Sequence, residues 1–470
     1  MEGLVHGHGH MVQGMTVIAV DALVLGGGSG GLAFAKRAAR LGVQVVLFEP
    51  ELVGGTCVNR GCVPKKMAWY AGQLACALRR EAAGYGFSVG PAAQVAFDWP
   101  LWRHRREQAL ERIRSSHMRA LQEAGVTVVT QRAWLGNAGE VVCEAGCWQA
   151  PCVVVATGGM PMVPEVPGAA LGMTSDGFFQ LRDQPQQVAI AGSGYIALEL
   201  ACALHALGSA VTLLVRSDHL LRGFEVACVR HLVAILEEQG IRIVWQSPVD
   251  RLEQRPDGLI MAMSGSATHG PYDAFFWAIG RRPATAGLGL EAHGVACDDN
   301  GHILVDAWQR TNVPGLHALG DVTIQPALTP VAVAAGRALA ERLFGGQQDR
   351  RVDLGLVPTV VFSEPPLAAV GRTEEQARAG YEVVRIFEST FLPLYHTLSG
   401  TPQRTRMVLV TAGTEERVVG LHMVGRDVDE ILQGFAVAIK AGITRADLLE
   451  AIAIHPTSAE EVLTVPPRGP

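Results

Sequence analysis

The sequence predicts an α/β chain in which one strand, glycine loop, helix and strand unit occurs twice, followed by a smaller α+β block. Three observations predict it. An apolar strand at residues 22–25 runs into Gly26-x-Gly28-x-x-Gly31, and a helix pattern and a second strand, "VQVVLFE", follow. The same order returns in "QVAIAGSGYIALELACALHALGSAVTLLVR", now with Gly192-x-Gly194-x-x-Ala197. From about residue 356 the chain reads as strands and helices without a glycine loop of this kind.

The bulk numbers agree with a multi-domain globular chain. Of 470 residues, 49% are apolar and 18% charged, a composition that buries large cores. The net charge of −6 argues against nucleic acid or an anionic membrane surface as main partner. No apolar run reaches transmembrane length. Residues 15–25 read as a strand rather than a signal core, because they enter "GGGSGG" with no cleavage-type site. Nine cysteines in this length are not a secreted disulfide framework, so a cytoplasmic location is expected. Cys76, Cys202 and Cys228 fall in helical patterns, and Cys143 and Cys147 flank a turn. His6, His8 and His10 stand in a leader that reads as a flexible tail, and no metal site is expected.

Each glycine loop permits a tight turn and lets the backbone approach a pyrophosphate at a helix N-terminus. In the first unit Gly26, Gly28, Ser29, Gly30 and Gly31 form the loop. Glu49 closes the second strand, where a carboxylate accepts hydrogen bonds from a ribose diol. In the second unit Gly192, Gly194, Ile196 and Ala197 form the loop, but Arg216 replaces the acid and Arg222 follows. An acid there favours the 2′-hydroxyl of NAD, whereas guanidinium pairs with the 2′-phosphate of NADP. The two Rossmann-like units are therefore expected to hold FAD and NADPH, respectively.

The remaining segments place the boundaries. "VVVATGG" (153–159) precedes a Pro-rich crossing, and "FFWAIGRRP" (275–283) marks the return. "LHALGDV" (316–322) is a strand ending in Asp321, and a helix follows with Thr329 as cap and Pro330 in its first turn. Its N-terminus is suited to stabilise negative charge on a flavin pyrimidine. The expected organisation is a leader at 1–19, an FAD-binding domain at 20–160 and 284–355, an NADPH-binding domain at 161–283 and a dimerisation domain at 356–470.

"GGTCVNRGCVPKK" holds Cys57 and Cys62. A metal clip needs further ligands, and no second close Cys/His set stands out. A structural staple fits a reduced compartment poorly. A redox disulfide needs geometry: in a regular helix, positions five apart have Cα atoms about 8.7 Å from each other, whereas a disulfide wants roughly 4.4–6.8 Å. The helix must therefore break, and Asn59 and Gly61 permit a bend before Pro64. Lys65 and Lys66 are expected to lower the thiol pKa. With FAD and NADPH, the economical reading is electron flow from nicotinamide to flavin to this pair.

These stretches resemble the flavoprotein disulfide reductases, the class I pyridine nucleotide-disulfide oxidoreductases, and within them the glutathione reductases. The resemblance runs from about residue 20 to 465 and includes "GSGYIALELA", "AIGRRP", "ALGDV", "PTVVFSEPPLAAVG" and "AIHPTSAEEVLT". It implies reduction of a small-molecule disulfide, glutathione disulfide first, with Cys57 as interchange thiol and Cys62 as the thiol against the flavin. It implies that Lys65 pairs with Glu199 at the flavin edge and that Tyr195 is a lid over the flavin. His455, oriented by Glu460, would protonate the leaving thiolate from the other subunit of a homodimer. Further cofactor contacts are implied at Thr56, Thr157, Gly158, Gly280, Arg281, Asp321 and Thr329. Substrate contacts are implied at Ala33, Lys36, His117, Arg337, Leu394, Tyr395 and Glu461.

The branches of the family differ at readable positions. Long-type thioredoxin reductases and mercuric reductases carry C-terminal cysteines, and none follows Cys297 here. Dihydrolipoamide dehydrogenases place an acid where Arg216 stands, and trypanothione reductases an acid and an aromatic where Ala33 and Lys36 stand. Two departures from the glutathione type remain: Lys36 replaces an arginine, and His117 replaces a tyrosine. They leave another low-molecular-weight disulfide open as substrate. A flavin-fold electron carrier without disulfide turnover should lack Cys57 and Cys62 or the His455 motif, and both are present.

Overall fold

The computed structural model describes residues 16–88, 96–137 and 139–469; the leader histidines lie outside them. The fold is α/β, and two compact units divide the chain. One comprises residues up to 64, 105–160 and 281–353; the other comprises 65–104, 161–280 and 354–470.

In the first unit five parallel strands lie in the order Leu316–Ala318, Cys152–Val155, Ala22–Leu25, Val45–Phe48, Thr127–Val129. The inner strands are unbroken apolar runs because both faces are covered. Side chains alternate between the faces. Ala22, Val24, Val45 and Leu47 pack with Phe34 and Leu339 of the helices Ser29–Arg40 and Thr329–Phe344. Leu23, Leu25, Val46 and Phe48 pack instead with Val141 and Trp148 of a small sheet. The two helices touch backbone to backbone: a Cβ on Gly336 would lie 2.4 Å from the Gly30 carbonyl oxygen.

The single strand expected over residues 15–25 is two strands. Val17–Ala19 pairs in parallel with Gly146–Gln149 at the edge of the small sheet, while Ala22–Leu25 sits in the main sheet. Between them the Asp21 carboxylate accepts the Gln44 N–H at 2.8 Å. The first stretch is exposed and finds its partner 130 residues on, a pairing that no local pattern encodes. Cys143 and Cys147 flank a hairpin turn as expected, buried and as thiols.

The second unit holds another five-stranded parallel sheet, ordered Met173–Thr174, Ala274–Trp277, Gln187–Ala191, Ala210–Leu214, Arg242–Val244. Its C-terminal part is a five-stranded antiparallel sheet with Leu367–Gly371, Arg417–Val424 and Thr405–Ala412 at its centre. The helix Val428–Ala441 packs on that sheet through Leu432 and Ala436. Among the described residues no helix is long and apolar enough to cross a membrane.

Candidate active site

Gly55–Arg60 and Cys62–Cys76 are separate helices, and the break falls at Gly61. A Cβ at Gly61 would lie 2.8 Å from the Thr56 carbonyl oxygen, so no other residue fits this fold-back. The break brings Cys57 and Cys62 into side-chain hydrogen-bond contact. Asn59 is not part of the bend. It is helical, its amide donates to the carbonyls of Leu52 and Gly55 at 3.0 Å each, and its oxygen accepts from Arg114 at 3.3 Å. It fastens the short helix in place.

Both sulfurs stand as thiols, Cys57 half-buried and Cys62 exposed. Thr329 was expected to cap its helix, but Leu328 is the cap and Thr329 is the first helical residue. Its hydroxyl instead faces the sulfurs, 3.5 Å from Cys62 Sγ. The hydrogen bond with Cys62 and then burial push the Cys57 thiol up, against a smaller downward pull from the Thr329 and Ser29 hydroxyls. This is opposite to the lowering expected from the lysines. Both lysines are engaged with acids: Lys65 Nζ lies 2.7 Å from Glu199, and Lys66 Nζ lies 2.9 Å from Asp429.

The expected Lys65–Glu199 pair is thus formed, and both side chains are largely buried. The Phe362 N–H also donates to Glu199 at 3.0 Å, and the Lys65 ammonium lies 3.9 Å from the Phe362 ring centroid. Glu199 sits on the helix Tyr195–Leu207, whose first residue, Tyr195, is 41% exposed.

Both glycine loops fit a dinucleotide. Gly26 has φ +108°, and a Cβ there would lie 2.4 Å from the Ala156 carbonyl oxygen; Gly192 has φ +149° and a clearance of 2.2 Å to Ala278 O. The helices that follow start at Gly28 and Gly194 without a side-chain cap. Their first N–H groups are therefore available to an anion. Ser29, Gly30 and Gly31 form the first turn of one helix, Ile196 and Ala197 that of the other. Glu49 accepts the N–H groups of Gly27 and Glu51 at 2.8 and 2.9 Å. Each oxygen keeps a lone pair for a ribose hydroxyl. Burial raises the Glu49 carboxyl above its usual range.

At the corresponding end of the second unit Arg216 and Arg222 are exposed. The Arg222 Nε donates to His219 Nε2 at 3.3 Å, and His219 Nδ1 lies 2.8 Å from Asp218. The Leu221 N–H donates to the Ser193 carbonyl at 2.9 Å, which ties the arginine loop to the second glycine loop.

Asp321 lines a cleft of about 220 Å³ together with Arg281, Thr323, Gln325 and His302. The last three carry no sequence signal beyond following "GDV" or facing it from a distant loop. Burial pushes the Asp321 carboxyl up, and Arg281 pulls it down. The Arg281 guanidinium also donates to the Gly159 carbonyl at 2.5 Å, and Thr157 donates its hydroxyl to Ala284 O at 2.9 Å. Thr56 lies in the first turn of Gly55–Arg60, and Gly158 and Gly280 have φ +74° and +139°.

His455 and Glu460 meet as expected. The ring Nδ1 is 3.1 Å from both carboxylate oxygens. A carboxylate only accepts, so Nδ1 carries the hydrogen and Nε2 is left as the ring nitrogen with a lone pair. Glu460 also accepts the Thr457 N–H at 3.0 Å. That bond first, and His455 second, hold its carboxyl below the usual range. Neighbouring Ile452 and Ile454 are 98% and 77% exposed.

On the substrate side, Ala33 is buried and Arg337 exposed. Burial, Arg40 and Arg337 lower Lys36, and burial and Lys36 lower His117, so these side chains share one basic cluster. In the second unit Leu394 is exposed, and Glu461 opens the helix Glu461–Thr464. The Tyr395 hydroxyl is committed to Glu81 at 2.8 Å, and Arg426 covers its ring at 3.6 Å.

Two glycine loops built for dinucleotides and a thiol pair at the head of a helix define a class, the nucleotide-dependent disulfide oxidoreductases. The profile of the pyridine nucleotide-disulphide oxidoreductases matches residues 20–336, and that of their dimerisation domain matches residues 357–466. The chain belongs to this family. It is 40% identical over 463 residues to a glutathione reductase of Yarrowia lipolytica, covering 95% of this chain and 98% of that one. It is also 40% identical over 458 residues to a glutathione reductase of Nostoc sp., covering 95% and 99%.

Proposed function

We propose that this chain reduces glutathione disulfide to two glutathione molecules with NADPH, using bound FAD and the Cys57–Cys62 pair. The contact of the two sulfurs at the Gly61 break carries the reading, and the near full-length likeness to glutathione reductases supports its substrate. Bound FAD would supply the two-electron relay between nicotinamide and sulfur. The first glycine loop with Glu49 holds FAD, assisted by Asp321 and Arg281, and the second with Arg216 and Arg222 holds NADPH.

The protein's own groups then act in order. The Cys57 thiolate attacks one substrate sulfur, forming a mixed disulfide and expelling a thiolate. His455 Nε2 protonates that thiolate, and Glu460 stabilises the imidazolium during the exchange. Cys62 then attacks the Cys57 sulfur, which releases the second thiol and closes the protein disulfide. Two thiols enter as the pair and two leave as product, so electrons and protons balance.

The functional unit is a homodimer in which a second copy supplies His455. The dimerisation domain supports this, and so do Ile452 and Ile454, which surround His455 with apolar surface. The expected organisation, an FAD domain interrupted by an NADPH domain and followed by the dimerisation domain, belongs to the same reading. So does a cytoplasmic location. Lys36 and His117 favour a second reading of the substrate, a disulfide other than glutathione's.

Exposure ranks the two cysteines opposite to these roles, since Cys62 is the more exposed. Limited alkylation of NADPH-reduced enzyme tests the assignment. Peptide mapping is expected to find Cys57 modified first; prior modification of Cys62 would exchange the roles.

A further inference from the structure

His455 sits on a segment that cannot hold itself in place. Residues 451–457 are all exposed and form no helix or strand. Inside the segment the ties are short: Thr457 donates its hydroxyl to the Ile454 carbonyl at 2.8 Å, and Thr457 and Glu460 form a capping box. These fix His455 relative to Glu460 and leave the loop as a whole to be positioned from its two ends.

Arg445 joins those ends. It opens the helix Arg445–Glu450, which leads into the loop, and its side chain reaches the far end. Nη1 donates to the Leu463 carbonyl and Nη2 to the Val465 carbonyl, each at 2.7 Å. These carbonyls close the helix Glu461–Thr464 that leads out of the loop. Arg445 is 6% exposed, and its guanidinium packs 4.9 Å from the Phe387 ring centroid of the underlying sheet. Its planar fork fits two carbonyls two residues apart, which a lysine ammonium does not match. Val462 and Val465, fully buried beside it, fix the same end from below.

We propose that Arg445 is a positioning residue for the acid–base pair: it clamps the base of the loop and so holds His455 Nε2 where the leaving thiolate is protonated. The inference rests on the assignment of His455 as that acid. Arg445 acts through His455 and touches neither nucleotide loop, so only the half-reaction that cleaves the substrate disulfide should respond. A misplacement of about 1 Å in a catalytic group costs on the order of tenfold to a hundredfold.

The test is a double-mutant cycle on the FAD-loaded dimer, following flavin reduction by NADPH and reoxidation by glutathione disulfide separately. Arg445→Lys is expected to slow reoxidation about tenfold and to leave flavin reduction unchanged. In the His455→Ala background the same substitution should change nothing further. Arg445→Gln serves as a second variant, and FAD content and dimer mass by light scattering report folding. The proposal is overturned if Arg445→Lys and Arg445→Gln leave reoxidation at the parent rate while His455→Ala slows it. It is equally overturned if the Arg445 effect persists undiminished in His455→Ala, because a purely structural role would then explain it. If His455→Ala itself leaves reoxidation unchanged, the acid assignment falls, and the inference with it.

Discussion

The first glycine loop ends in Gly31 and the second in Ala197, and the space around each explains the choice. A Cβ on Gly31 would lie 2.0 Å from the Gly26 carbonyl oxygen and 3.2 Å from Val24. At Ala197 a methyl group is present and fully buried, packed against the open side of Gly192. The helix of the first unit therefore lies closer to its own turn. The loops differ again where the second strand ends, in Glu49 against Arg216. In the proposed reading the shared part binds what every dinucleotide has, a pyrophosphate, and the last residue reads what differs, a ribose diol or a 2′-phosphate. On that reading discrimination resides in one or two side chains at the strand end rather than in the loop.

The largest break in this comparison is Gly31→Ala. A side chain cannot be added 2.0 Å from a backbone oxygen without moving the helix. The variant should retain little FAD after gel filtration, as read by absorbance. The mirror change, Ala197→Gly, should cost about 1 kcal/mol and keep NADPH binding. Equal tolerance of both would remove the difference drawn here.

Next comes the strand end. Replacing Arg216 by Glu together with Arg222→Met would remove the two guanidinium contacts proposed for the 2′-phosphate. Each is worth roughly 1.5–3 kcal/mol, so KM for NADPH should rise at least about 100-fold, while KM for NADH falls or holds. Unchanged NADPH kinetics would place the 2′-phosphate elsewhere.

The third comparison concerns acids drawn out of water, which the two units also treat differently. Glu49 is propped by two backbone N–H groups, whereas the half-buried Glu364 has a single side-chain donor, Gln73 at 2.7 Å. Burial pushes the Glu364 carboxyl from 4.5 to about 7. The folded chain thus holds this proton more tightly than the unfolded one. The stability it contributes is full below pH 4.5 and is lost as pH rises through about 7. Glu364→Gln should therefore raise the unfolding free energy from urea titration at pH 8, by up to roughly 3 kcal/mol, with the gap closing near pH 5. A gap independent of pH would show that the carboxyl stays ionised in the fold.

What the sequence made legible follows from how far each signal reaches. The glycine loops, Glu49 and Arg216 depend on residues a few positions apart, and the structure has them where their spacing put them. The break at Gly61 was legible as a requirement of the two cysteines, but Asn59 was misread as part of the bend because its role comes from tertiary carbonyls and Arg114. Thr329 looked like a cap, yet its hydroxyl serves sulfurs 267 residues away. The lysines after Pro64 looked like a source of thiol acidity, but Glu199 and Asp429, distant in sequence, engage their charge. Arg445 had no local signature at all, since its partners are two carbonyls.

The most direct test is the rate of NADPH oxidation by the FAD-loaded protein with glutathione disulfide, run beside an NADH control. The account predicts rapid turnover with NADPH, little with NADH, and none after Cys57→Ser. Flavin reduction by NADPH without disulfide turnover would contradict the substrate and point to Lys36 and His117. Turnover that survives Cys57→Ser would contradict the thiol pair as the carrier of electrons.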